Sequence, residues 1–177
     1  LKRFQKSLYI LSYDIEIDYC FLKKIINEGI NKLNLNNNEY GAIRINYSRG
    51  KNIERSIKIK TLDIDFNYKN LWIEFYLIRV NFNQINVHIS ENERRNEFSI
   101  LSQCKTFDYT QSIQALIEAN KKNFNDSILL NTKNELCCGS TFNLILRRNK
   151  EWLTPRKESG CLPGIMVNKL LDLKRLK

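Results

Sequence analysis

The chain has 177 residues, 42% of them hydrophobic, which is enough for one core or two small ones. Its 29 Lys and Arg against 19 Asp and Glu give a formal net charge of +10. These basic residues are scattered rather than gathered on one face, so the charge points to no nucleic acid and no membrane as partner.

In chain order, residues 2–11 carry Phe4, Leu8 and Leu11 at helical spacing. Residues 17–33 repeat the pattern with Cys20, Leu22, Ile25, Ile26, Ile30 and Leu33, before the breaker NLNNNEYG. GAIRINYSRG then alternates, with Ile43, Ile45 and Tyr47 on one face and Arg44, Asn46 and Ser48 on the other. SIKIKTLDIDF alternates as well, and the dense run NLWIEFYLIRVNF predicts a strand buried on both faces. Residues 1–96 therefore read as a small α+β domain. SENERRNEFSILSQCK is polar and irregular and reads as connector, with residues 97–104 leading into a second domain over 105–177. There YTQSIQALIEANKKN predicts an amphipathic helix with Ile113, Leu116 and Ile117 on one side. DSILLNT, STFNLILRRN and EWLTPR predict strands, and SGCLPGIMVNKLLDLK a loop feeding a helix.

No apolar run is long enough to cross a bilayer, and LKRFQKSLYILSYDIEID has no signal-peptide layout. Five cysteines at irregular spacing without a CxxC, and one histidine, His88, argue against a metal site and against a disulfide framework. Reduced thiols in a cytoplasmic setting are expected. Adjacent Cys137 and Cys138 in NELCCGSTFN cannot bond each other without ring strain. A start at Leu1 and an end inside the pattern KLLDLKRLK lead to the expectation of a piece of a longer protein.

GCLPGIMVNKLLDL is the most informative stretch physically. A helix beginning after Pro163 and Gly164 leaves the backbone N–H groups of Ile165 and Met166 without internal partners. The glycine permits close approach, the helix dipole adds positive potential, and phosphate is the usual guest at such an end.

Taken in order, RRNEFSILSQCKTFDYTQSIQALIEANKKNFNDSILLNT, STFNLI and LTPRKESGCLPGIM resemble the class IV aminotransferases, the fold-type-IV pyridoxal-phosphate enzymes. The family pattern is a lysine followed by Thr/Ser, Leu/Phe and Asn/Asp-Tyr, then a helix, a D-x-x-L-L-L strand, an N-L-[FI] strand, and T-P with G-x-L-x-G-I-[TM]. LKRFQKSL is similar to the family's H-x-x-R-L helix without its histidine, and RINYSRG to its R-x-x-x-[TS]-R-G strand. The resemblance implies a two-domain α+β fold: an N-terminal α/β sandwich and a C-terminal β-barrel-like α/β domain, both incomplete here. It further implies pyridoxal 5'-phosphate as cofactor at the domain interface, a small-molecule carboxylate substrate, and a homodimer.

Residue by residue, the resemblance makes Lys105 the lysine that forms the Schiff base with the cofactor and shuttles the Cα proton, a role that suits a desolvated amine. Arg3 aligns with the phosphate-binding arginine. Ile165 and Met166 align with the backbone donors to the phosphate, and Tyr109 with a tyrosine near the cofactor's phenolic oxygen. Asn143 and Thr154 read as shaping the strand turns, and Cys161 as loop packing. His88 reads as a strand histidine without a catalytic role. Arg94 and Arg95 read as a solvated linker rather than a substrate-carboxylate clamp.

Two departures stand out. Cys138 occupies the cofactor-binding position five residues before Asn143, where the family usually carries a glutamate that keeps the pyridine nitrogen protonated and the ring an electron sink. Val167 stands where an arginine often follows G-I-[TM]. This chain alone is expected to lack a complete active site. CCGSTFNLI and GCLPGIM look most like the 4-amino-4-deoxychorismate lyase branch, which makes p-aminobenzoate and pyruvate in folate biosynthesis. A neutral thiol is a weak partner for the ring nitrogen. Elimination driven by aromatisation depends less on the sink than transamination does. The alternatives are a branched-chain or D-amino-acid aminotransferase, and a degenerate relative without catalysis.

Overall fold

Residues 1–13, 15–34, 39–50, 55 and 70–177 are described in the computed structural model, and they fall into two units, Leu1–Phe82 and Asn83–Lys177. In the first unit, helices α1 (Lys2–Ile10) and α2 (Tyr19–Leu33) form where the apolar spacing puts them. Asp18 starts α2 by accepting the Phe21 N–H at 3.0 Å, and Asn34, in the left-handed region, ends it. Gln5 pins the link between the helices. Its Nε2 donates to the Ile15 carbonyl at 2.6 Å, and its Oε1 accepts the Ile17 N–H at 3.0 Å.

Strands β1 (Tyr40–Tyr47) and β2 (Leu71–Ile78) pair antiparallel, from Tyr40 opposite Ile78 to Tyr47 opposite Leu71. Leu8, Tyr13, Ile15, Ile17, Leu22 and Tyr47 make the core. Each buried aliphatic side chain there contributes about 1.5–3 kcal/mol. A Cβ on Gly29 of α2 would lie 2.0 Å from the Phe75 ring of β2, so glycine is what lets the helix sit against that strand.

Two expectations are corrected in this unit. The α2 stripe is narrower than the periodicity suggests. Leu22 and Ile26 face the core, whereas Cys20 and Ile30 are exposed. Strand β2 is not buried on both faces, since Leu77 is 60% exposed and Trp72 42%. SIKIKTLDIDF lies outside the described residues.

The second unit is a β-α-β arrangement. Strands β3 (Val87–Arg95) and β4 (Asp126–Asn131) are parallel, and helix α3 (Thr110–Lys121) makes the crossover that a parallel pair requires. Strand β5 (Leu136–Gly139) adds antiparallel to β4, giving the order β3-β4-β5. Strands β6 (Leu146–Arg148) and β7 (Glu151–Leu153) form a short hairpin, and α4 (Ile165–Asp172) follows the loop after it.

Here the sequence reading is corrected at three places. The face that α3 buries is Ser112, Ala115 and Ala119, whereas Ile113 is 50% exposed. Small residues let the helix approach the sheet closely, and that outweighs the larger side chains. Residues 90–95 are strand, not connector, and β3 belongs with the second unit through its pairing with β4. Polarity conceals it because its polar groups are satisfied locally. The register breaks between Ile89 and Arg94, and Glu118 of α3 holds the displaced residues. The Glu118 carboxylate accepts from Glu91 N–H at 2.9 Å, Asn92 N–H at 3.4 Å and Ser90 Oγ at 2.8 Å. Within STFNLILRRN only Leu146–Arg148 is extended strand, and Asn143 bridges back to Cys138.

Candidate active site

Lys105 follows the turn Ile100–Gln103 and Cys104. Its side chain is exposed, and its Nζ stands 4.8 Å from the centroid of the Tyr109 ring. Among the described residues no carboxylate pairs with it, so the ring face is what orients the amine. Tyr109 is the residue from which α3 begins. Thr106 Oγ1 accepts the Asp108 N–H at 3.3 Å, and Asp108 accepts the Thr110 N–H at 3.2 Å, so the segment between the two has a defined course.

Helix α4 begins at Gly164 with no side-chain cap, and its first internal bond is Asn168 N–H to the Gly164 carbonyl at 3.0 Å. The Ile165 and Met166 N–H groups therefore have no intrahelical acceptor, and both side chains point to solvent, 61% and 67% exposed. Asn143 shapes this end. Its Nδ2 donates to the Leu162 carbonyl at 2.8 Å, and its Oδ1 lies where a Cβ on Gly164 would come within 1.9 Å. Thr154 ties the neighbouring turn by donating to the Leu144 carbonyl at 2.8 Å. A cavity of about 240 Å³ opens beside the loop, with Asn143, Thr154, Cys161, Gly164 and Val167 among its walls. Lys105, Tyr109 and Cys138 do not line it. Arg3 sits half-buried on α1, in the first unit.

Cys138 is 7% exposed and Cys137 1%. A regular strand would send adjacent side chains to opposite faces. Here Leu129 opposes Cys138 while Leu130 opposes Leu136, so Cys137 is the extra residue of a bulge and both thiols are buried. The Cys137 thiol is pushed up by its hydrogen bonds to Cys138 and Cys161 and by burial, and so keeps its proton. The Cys138 thiol is pulled down by the Cys137 hydrogen bond and, against the cost of burial, by the Arg95 guanidinium. Arg95 is held in turn by Gln111 Oε1 at 2.9 Å and Ser112 Oγ at 2.7 Å. Arg94 donates to the carbonyls of Ser90 at 2.6 Å and Glu93 at 3.0 Å. Neither arginine is the solvated linker the sequence suggests. The signal that could have found them is their place beside the apolar β4 run, which implies a neighbouring strand.

His88, Glu91 and Glu118 come close enough to resemble a cation site, with His88 Nε2 3.0 Å from Glu118 Oε1. The Lys122 ammonium already supplies the positive charge, 2.7 Å from Glu91 Oε1 and 3.2 Å from His88 Nε2. Burial alone would raise the Glu118 carboxyl. The donors from Glu91, Ser90, His88 and Asn92 outweigh it and bring the carboxyl down to about 2.

The family model for amino-transferase class IV matches residues 1–177, and the chain belongs to that family. It is 27% identical over 172 residues to a probable branched-chain-amino-acid aminotransferase of a Synechocystis strain, covering 97% of this chain and 54% of the relative. Among solved structures, it is similar to a putative 4-amino-4-deoxychorismate lyase from Legionella pneumophila, with a TM-score of 0.77 and 24% identity over 99% of this chain and 63% of that one. It is also similar to a branched-chain aminotransferase from Thermoproteus uzoniensis, with a TM-score of 0.78 and 21% identity over 99% of this chain and 59% of that one. The fold is thus that of the fold-type-IV enzymes, of which this chain spans part: 54% of the curated relative, 63% and 59% of the two structures. Class IV aminotransferases are pyridoxal-phosphate enzymes.

The residues of the second unit fit that cofactor at two places. The Gly164 end of α4 offers two backbone donors in a cradle that a Cβ would fill. Lys105 offers an exposed amine free of ion pairs among the described residues. Cys138, the position that the resemblance gives to a carboxylate facing the ring nitrogen, carries a thiol.

Proposed function

We propose that this chain is part of a pyridoxal-phosphate lyase that converts 4-amino-4-deoxychorismate to p-aminobenzoate and pyruvate. The observation that carries the choice is Cys138. In place of a free carboxylate the chain offers a thiol already engaged by Cys137 and by the Arg95 guanidinium. An anion neutralised by arginine gives little support to a protonated ring, and the reaction least dependent on that support is an aromatising elimination. Lys105 would hold the cofactor through Nζ and carry the proton removed from the substrate Cα, with the Tyr109 ring aiming the amine. The Ile165 and Met166 N–H groups would take the phosphate. Bound there, pyridoxal phosphate supplies the aldehyde that captures the substrate amine and the ring that withdraws its electrons.

A branched-chain or D-amino-acid aminotransferase is the second reading, favoured by the identity to the Synechocystis relative. The full-length protein separates them: p-aminobenzoate release from aminodeoxychorismate supports the lyase, and efficient amino transfer to 2-oxo acids without p-aminobenzoate overturns it. Absorbance near the visible edge, lost in Lys105→Ala, identifies lysine-bound cofactor. Its absence from the wild type would favour a relative without catalysis.

A further inference from the structure

Three of the five cysteines, Cys137, Cys138 and Cys161, meet in the core of the second unit with Ala115 and Leu129. The proposed reaction uses neither Cys137 nor Cys161. Cys137 is the middle member, hydrogen-bonded to both others. Its neighbours differ in what holds them. Cys138 is tied on both sides of the ladder, paired with Leu129 of β4 and bridged to Asn143. Cys161 lies in the loop between Gly160 and α4, with Sγ 3.6 Å from the Arg156 carbonyl. It also lines the cavity of about 240 Å³, which gives a small oxidant a route to a thiol otherwise only 6% exposed. Glycine at 160 is required for this course. Its φ is +87°, and a Cβ there would lie 2.9 Å from the Glu97 backbone.

We propose that Cys137 and Cys161 are a dithiol–disulfide pair, closed by a hydroperoxide that enters through this cavity, so that oxidation staples the loop in front of α4 to β5. Cys161 is the attacking sulfur because it alone of the three lines the cavity, and the hydrogen bond from Cys137 pulls its thiol below its ordinary range. The Cys161 thiolate attacks one peroxide oxygen, the O–O bond breaks, and the sulfur becomes a sulfenic acid with release of hydroxide. The Cys137 sulfur then displaces the sulfenic hydroxyl, forming the S–S bond and giving up its proton. In sum the two thiols lose two protons and two electrons, and hydrogen peroxide is reduced to two waters. Ring closure between Cys137 and Cys138 competes poorly, because it must distort a backbone that β4 and Asn143 both hold. The three sulfurs do not draw together closely enough to enclose a metal ion, as the only such group among the described residues is the one around His88.

The test is peptide mapping of the full-length protein after hydrogen peroxide, without reduction, in a Cys20→Ser background that removes the exposed thiol. The expected product joins tryptic peptides 134–147 and 158–169 and lacks two hydrogens, and fragmentation places the link on Cys137. It persists in Cys138→Ser and is lost in Cys161→Ser and in Cys137→Ser. A link confined to peptide 134–147, a link that fragmentation places on Cys138 or Cys104, or oxidation of Cys161 without any link overturns the proposal. Mapping of the Cys20→Ser parent alone decides between these, so a poorly folding further variant does not rescue it. The link is read by mass with or without cofactor, so its failure and that of the enzymatic reading are separate results.

Discussion

The two units solve the same packing problem with different side chains. The first buries Leu8, Ile15, Ile17 and Leu22 with two tyrosines, and Tyr13 meets Tyr47 edge to face at 5.4 Å. The main cluster of the second is one alanine, one leucine and three thiols, and that unit also buries Ser90, Ser112, Ser127, Asn131, Ser140 and Ser159. A core of large aliphatics depends on volume. A core of small and polar residues depends on every donor finding its acceptor, and the candidate chemistry is concentrated in the unit built that way.

The largest expected effect leaves both cores alone. Lys105→Ala lowers turnover of the full-length enzyme by ~10³-fold or more, as loss of a proton-transferring group does. In the cofactor-free form its melting temperature stays unchanged, because Lys105 is exposed. A variant that melts much earlier would mean that Lys105 serves the fold.

Next, Leu22→Ala costs about 3 kcal/mol through lost burial and the cavity left behind. Denaturant titration followed by Trp72 fluorescence in a Trp152→Phe background reads the first unit alone, since the two tryptophans fall in different units. A loss under ~1 kcal/mol would erase the claimed contrast, because volume would then matter little in either core.

Glu118→Ala should cost about 2 kcal/mol by leaving the Ser90–Asn92 donors without an acceptor. The same bonds set a pH dependence. With the folded carboxyl at about 2 and the ordinary value at 4.5, their contribution is complete above 4.5 and fades as pH falls toward 2. Glu118→Gln flattens this part of the stability–pH curve, and a curve unchanged by the substitution would remove Glu118 from the account. The smallest effect is at Gly164. A Cβ there presses on Asn143 Oδ1, so Gly164→Ala costs about 1 kcal/mol and weakens binding of pyridoxal phosphate in a titration. Adding Asn143→Ala recovers part of the stability while losing the hold on the Leu162 carbonyl.

The Gly164–Met166 helix start was legible in the residues, because glycine placement and helical spacing are local properties of the chain, whereas Lys105 and Cys138 are singled out only by the resemblance to the family. What stayed hidden are partnerships between distant positions. Arg95 looked like linker because a strand whose polar groups are satisfied by a facing helix shows no apolar alternation. Nothing in the sequence marks Glu118, because its partners Ser90, Glu91 and Asn92 lie 26–28 residues away along the chain. The α3 face was misjudged because large residues dominate a helical pattern, whereas close approach to a sheet selects alanine and serine.

By itself, then, the sequence determined most of the helices and strands, though not β3 or β5, the family, and a helix end suited to phosphate, since periodicity, glycine placement and ordered motifs are written along the backbone. Only the tertiary structure decided that a bulge turns both Cys137 and Cys138 inward, that Arg95 reaches the second thiol, and that Cys161 closes on the first beside a cavity. These depend on how β3, β5 and the loop before α4 are brought together, and burial in a shared core, not spacing, sets the charge and contacts of the groups that meet there.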